Sequence, residues 1–109
     1  MKQLPLVCKF TYNYTYANKL KQKPLYALLL SYNPAQKAYC VDLFEESGKT
    51  HGRNYHRWLA WDEDTVNEHV VPMDSLPDKL LNEIKEEIAL YEEVDNRCKR
   101  KNNNFELNL

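Results

Sequence analysis

From Leu6 to Tyr16 the side chains alternate one by one. Leu6, Cys8, Phe10, Tyr12, Tyr14 and Tyr16 fall on one side, and Val7, Lys9, Thr11, Asn13 and Thr15 on the other. A period of two, rich in aromatic and β-branched residues, predicts a strand with one buried face. Pro5 suits its start. Ala17 to Pro24 (ANKLKQKP) then reads as a basic connection. Residues 25–32 (LYALLLSY) are apolar on both sides and predict a central strand covered from both faces. Asn33-Pro34-Ala35-Gln36 is a turn, because proline presets the first central dihedral. Alternation resumes over 37–44, so the second and third strands form a tight hairpin. After a polar loop at 45–53, a fourth strand over about 54–62 sets Tyr55, Arg57, Leu59 and Trp61 against His56, Trp58 and Ala60. His69-Val70-Val71, just before Pro72, predicts a short edge strand.

The period changes after Ser75, which is a good helix N-cap with Asp78 three residues on and Pro77 in the first turn. Leu80, Leu81, Ile84, Ile88, Tyr91 and Cys98 recur at helical spacing and form one apolar stripe. Arg97, Lys99, Arg100 and Lys101 oppose the dipole at the far end, and Asn102-Asn103-Asn104 breaks the pattern. The expected fold is α+β: an antiparallel meander of about four strands, with one long C-terminal amphipathic helix packed across the face that carries Tyr12, Tyr14 and Tyr16. Residues 1–101 make a single domain, with the sheet at 4–62, an acidic connection at 63–74 and the helix at 75–99. Residues 102–109 are a flexible tail.

Length and composition narrow the classes. A chain of 109 residues is one domain. Two glycines are too few for a glycine-rich phosphate cradle. Gly48-Lys49-Thr50 lacks the earlier glycine of a phosphate loop, since Leu43 stands there. The longest apolar run, Leu25 to Leu30, falls far short of the roughly 20 residues that cross a bilayer, and no secretory leader is read at the N-terminus. A cytoplasmic protein without a membrane partner is expected. Cys8, Cys40 and Cys98 are odd in number and widely spaced, which predicts reduced buried thiols rather than a disulfide framework or a zinc site. No cofactor is expected.

Charge is the most informative feature. Residues 1–61 carry nine Lys/Arg and three Asp/Glu; residues 62–95 carry two lysines and twelve Asp/Glu; residues 96–109 carry four Lys/Arg and one Glu. A balance of −10 over 34 residues exceeds what solubility needs, and attracts a basic partner.

The leading expectation is therefore a small, non-enzymatic binding module or inhibitor. It would dock its acidic helix region and exposed aromatics onto a basic surface of another protein, in the manner of phage or mobile-element inhibitors of nucleic-acid-handling enzymes. Its contact residues would be Trp58, Trp61, Asp62, Glu63, Asp64, Glu68, Glu86 and Glu93. The alternative is nucleic-acid binding by the basic, tyrosine-rich N-terminal sheet through Lys9, Tyr14, Tyr16, Lys19, Lys21 and Lys23, where rings stack on bases and lysines meet phosphates. A second alternative is a small enzyme using His51 and His56 with nearby carboxylates, although no catalytic or metal-binding motif is present. A homodimer stays open.

Overall fold

In the computed structural model the described residues are 3–51 and 57–107, with side chains described through residue 94. The elements run β1 (Leu6–Tyr16), β2 (Lys19–Asn33), β3 (Ala38–Glu45), β4 (Arg57–Leu59), α1 (Glu63–His69), β5 (Val70–Val71), a 3-10 turn (Met73–Ser75) and α2 (Asp78–Leu107). The class is α+β, and the sheet is antiparallel with five strands in the order β4-β3-β2-β1-β5. The first four form the expected meander, and β5 adds the fifth by pairing Val7 with Val71 and Cys8 with Val70.

Strand β2 is longer than its apolar run. The segment expected to be a basic connection, Lys19 to Pro24, is strand paired residue for residue with β1. Only Ala17 and Asn18 turn the chain, with φ of 53° and 63°. Left-handed values at both central positions are the geometry that matches strand twist in a two-residue hairpin. Strand β3 pairs with β2 only from Leu25 onward, and β5 meets β1 only at Val7 and Cys8. Residues 11–24 therefore form a two-stranded arm, six residues on each side and about 20 Å long. Pro24 lies beyond the end of β3, where its missing N–H interrupts no ladder to a third strand.

Both faces of the sheet are covered at its centre. Val7, Tyr26, Leu28, Leu30 and Phe44 pack against Leu80 and Ile84 of α2, with Leu76 completing the cluster. Cys8, Ala27, Leu29, Tyr39 and Val41 pack against Val66 of α1, with Phe10 and Trp61 at its margin. This corrects the expected placement of the long helix: α2 lies on the Val7 side and not on the tyrosine side. The reason is in β2, whose Tyr26, Leu28 and Leu30 supply the apolar surface that β1 offers there only through Val7. A bulge between Leu29 and Ser31 reverses the alternation, so Tyr32 joins Tyr39 on the α1 side.

The expected acidic connection at 63–74 is structured. Asp62 caps α1, its carboxylate accepting the Thr65 N–H at 2.8 Å. Ser75 does not cap α2. Its hydroxyl donates to the Pro72 carbonyl at 2.6 Å, and α2 begins at Asp78, with the Leu81 N–H donating to Pro77 at 2.9 Å. The helix also continues through Asn102-Asn103-Asn104, where a flexible tail was expected. The fourth strand is shorter than its sequence pattern, Arg57–Leu59, and the expected strand residues Tyr55 and His56 lie outside the described residues. Cys8 and Cys40 are buried and reduced; the Cys98 side chain lies outside the described residues. No helix among the described residues is long and apolar enough to cross a membrane.

Candidate nucleic-acid interface

The hairpin register brings six of the most conspicuous side chains in the sequence onto one face. Cross-strand partners share a face, as do residues two apart on a strand. Tyr12 pairs with Lys23, Tyr14 with Lys21, and Tyr16 with Lys19. One side of the arm is thus a ladder of three tyrosines beside three lysines. The other side carries Thr11, Asn13, Thr15, Leu20, Gln22 and Pro24, none of them charged.

Contacts organise this ladder. The Tyr12 and Tyr14 rings lie nearly parallel, 12° apart with centroids at 5.8 Å. The Lys23 ammonium sits 5.4 Å from the centre of the Tyr14 ring, and that of Lys21 is 5.7 Å from Tyr16. Each is within cation–π range. At the root of the arm Lys23 also binds Glu45 at 2.5 Å. That bond raises the Lys23 pKa and lowers that of Glu45. His51 meets the edge of the Tyr12 ring, with centroids 5.1 Å apart. Burial, followed by the nearby Lys23 and Arg57, lowers the His51 pKa and so favours the neutral ring. Exposure is greatest at the tip, where Tyr16 is 68% and Leu20 75% exposed; Tyr12 is 37% exposed, and Tyr14, between Tyr12 and Lys23, is half-buried. Between Lys9 and Pro24 the chain has four lysines and no carboxylate.

Of the sequence-derived set for nucleic acid, five residues converge here: Tyr14, Tyr16, Lys19, Lys21 and Lys23. Lys9 does not. It points to the α2 side, 5.6 Å from the centre of the Tyr26 ring. Tyr12 and Glu45 join this neighbourhood from outside the sequence-derived set, though Tyr12 shares the period-two signal of its neighbours, and His51, a candidate of the enzyme alternative, packs here against Tyr12.

The acidic set is divided between elements. Asp62, Glu63, Asp64 and Glu68 are exposed on α1 and its cap, on one side of the sheet; Glu86 and Glu93 are exposed on α2, on the other. Hydrogen bonding to Thr65 lowers the Asp62 pKa. Trp61 is half-buried, edge-on to Phe10 at 5.7 Å and against His69 at 4.9 Å, so it packs the α1 side rather than standing out as an anchor. Trp58 is 55% exposed on β4.

The two described histidines, His51 and His69, lie on different elements. His69 is on α1, its Nδ1 2.8 Å from the Thr65 carbonyl, and His56 lies outside the described residues. Among the described residues no three His, Cys, Asp or Glu side chains are grouped to hold a metal ion. Gly48-Lys49-Thr50 forms a turn against the start of α2: the Gly48 N–H donates to Glu45 at 2.9 Å, and a Cβ there would lie 3.2 Å from the Lys79 carbonyl oxygen. An open groove of about 350 Å³ between Pro5–Val7 and Val70–Met73 has an apolar lining and no titratable side chain. No protein-family model, curated protein or solved structure matches the chain.

Proposed function

We propose that this protein is a non-enzymatic nucleic-acid-binding module that engages its ligand through the β1–β2 arm. One observation carries this: Tyr12, Tyr14 and Tyr16 share a face with Lys19, Lys21 and Lys23 on a projecting ribbon that has no carboxylate of its own. Rings offer stacking surfaces, and a row of ammonium groups attracts a polyanion with little regard to sequence. The acidic α1 and the Glu83–Glu93 part of α2 support this placement, because their charge disfavours a polyanion on those surfaces. The test is Lys19→Glu combined with Lys21→Glu, both exposed positions. Wild type should shift labelled nucleic acid at low salt and the variant should not, with equal melting temperatures. Equal binding by both proteins would refute the arm as the site.

Docking onto a basic partner protein is the second reading. It is favoured by the 55% exposure of Trp58 and by Leu90 and Val94, which are 55% and 50% exposed on the acidic helix α2. It predicts that Glu86→Lys slows capture of that partner while the arm variants capture normally.

A further inference from the structure

We infer that the ligand of the arm is a single strand, held with about one nucleotide per tyrosine–lysine pair; this rests on the nucleic-acid reading above. The first reason is the repeat. Residues two apart on a strand are separated by about 6.7 Å. That is roughly twice the 3.4 Å rise of a stacked nucleotide strand. A strand drawn out to this spacing presents one base to each of Tyr12, Tyr14 and Tyr16. Its phosphates follow a parallel track over Lys23, Lys21 and Lys19, one strand spacing away. Three rungs give a footprint of about three nucleotides.

The second reason is access. The faces of paired bases are stacked against their neighbours, and tyrosine rings can cover them only where a strand is unpaired. Duplex recognition by a β-ribbon places it in the major groove between two rows of phosphates. Here the cations occupy one face, and Thr11, Asn13, Thr15, Leu20 and Gln22 leave the other uncharged. A one-sided strip suits a strand lying on it better than a groove enclosing it.

The third reason is the prior arrangement of the rings. Tyr12 and Tyr14 are already near-parallel, and Lys23 and Lys21 already lie over Tyr14 and Tyr16. Binding exchanges an ammonium–ring contact for a base–ring contact, and the displaced lysine moves to a phosphate. Tyr16, at 68% exposure, has the most open ring. Tyr12 is braced by His51 at the root, and Tyr14, half-buried between Tyr12 and Lys23, is the least exposed of the three rings. Beyond Phe10 the same side of the sheet is covered by α1 with its exposed Asp64 and Glu68, which ends the cationic strip there.

The experiment is fluorescence anisotropy of the full chain at low salt. The probes are labelled 12-nucleotide single strands of DNA and of RNA, and the same sequence as a duplex. Single strands should bind at least tenfold tighter than duplex. Tyr16→Ala should weaken single-strand binding about fivefold or more. Tyr16→Phe should restore it, since stacking needs the ring and not the hydroxyl. Circular dichroism and melting should be unchanged for both variants. Duplex binding as tight as single-strand binding, or Tyr16→Ala binding like wild type while the lysine variant fails, would overturn the single-strand inference and leave the arm as a nucleic-acid site. Absence of binding to every probe would overturn both.

Discussion

Removing one lysine at a time from the arm while varying salt gives a prediction with a worked magnitude. Each lysine that neutralises a phosphate releases a counterion, and for single strands the logarithm of affinity falls with the logarithm of salt at about −0.7 per contact. Lys19 and Lys21 lie on the outer arm, whereas Lys23 is held by Glu45. Two contacts give a slope of about −1.4, and three, if Lys23 leaves Glu45, about −2.1. Raising salt from about 50 to 200 mM should then weaken binding roughly 7- to 18-fold. Lys21→Ala should flatten the slope by about 0.7, and Lys23→Ala by less, because its charge is already matched. Anisotropy titrations at four or five salt concentrations measure these slopes. A flat wild-type slope, or an unchanged slope in a protein lacking both Lys19 and Lys21, would refute the electrostatic account.

Three further outcomes probe the framework that presents the arm. Ile84→Ala, at a fully buried position on the sheet side of α2, should cost about 2–5 kcal/mol in denaturant unfolding, whereas Leu90→Ala, half-exposed on the same helix, should stay within about 0.5 kcal/mol; similar losses would place the wrong face of α2 against the sheet. Gly48→Ala should destabilise by about 1 kcal/mol, because φ of +92° strains an L-residue by about 1–2 kcal/mol, the Lys79 carbonyl is 3.2 Å from the new methyl, and the lost chain entropy of glycine returns only part of this; a neutral effect would deny the left-handed turn. For His51 the folded pKa is depressed below its ordinary value of 6.5, so the unfolded chain binds the extra proton first and stability falls as pH drops below about 6.5. Melting scans at pH 7.5 and 5.5 should show a smaller acid-induced loss for His51→Phe than for wild type; an equal loss would remove His51 as a contributor.

Much of the sheet was legible because period-two alternation survives in β1 and β3, and because the turn after Asn33 has a mechanism: its Oδ1 accepts the Ala35 and Gln36 N–H groups. The start of β2 was hidden by its turn. Ala17-Asn18 lacks the glycine that usually marks a two-residue hairpin, so the alternation of Lys19, Lys21 and Lys23 reads as a basic linker. The docking face of α2 is not legible from β1, which alone points to the Leu6–Phe10 side as the buried one, whereas β2 is apolar on both. Helix α1 buries only Val66, which leaves too faint an apolar pattern in seven mostly polar residues. The tyrosines and lysines of the site were visible as residue types. Their convergence was not, because it depends on a hairpin register that a single strand pattern does not contain.

The central claim is that the exposed tyrosine–lysine face of the arm, and no other surface, meets nucleic acid. Backbone amide NMR during titration with a short single-stranded oligonucleotide tests this most directly. Saturating shift changes should cluster at Tyr12–Tyr16 and Lys19–Lys23 and leave Glu83–Glu93 of α2 unmoved. Changes centred on α1 or α2, with the arm silent, would contradict the account.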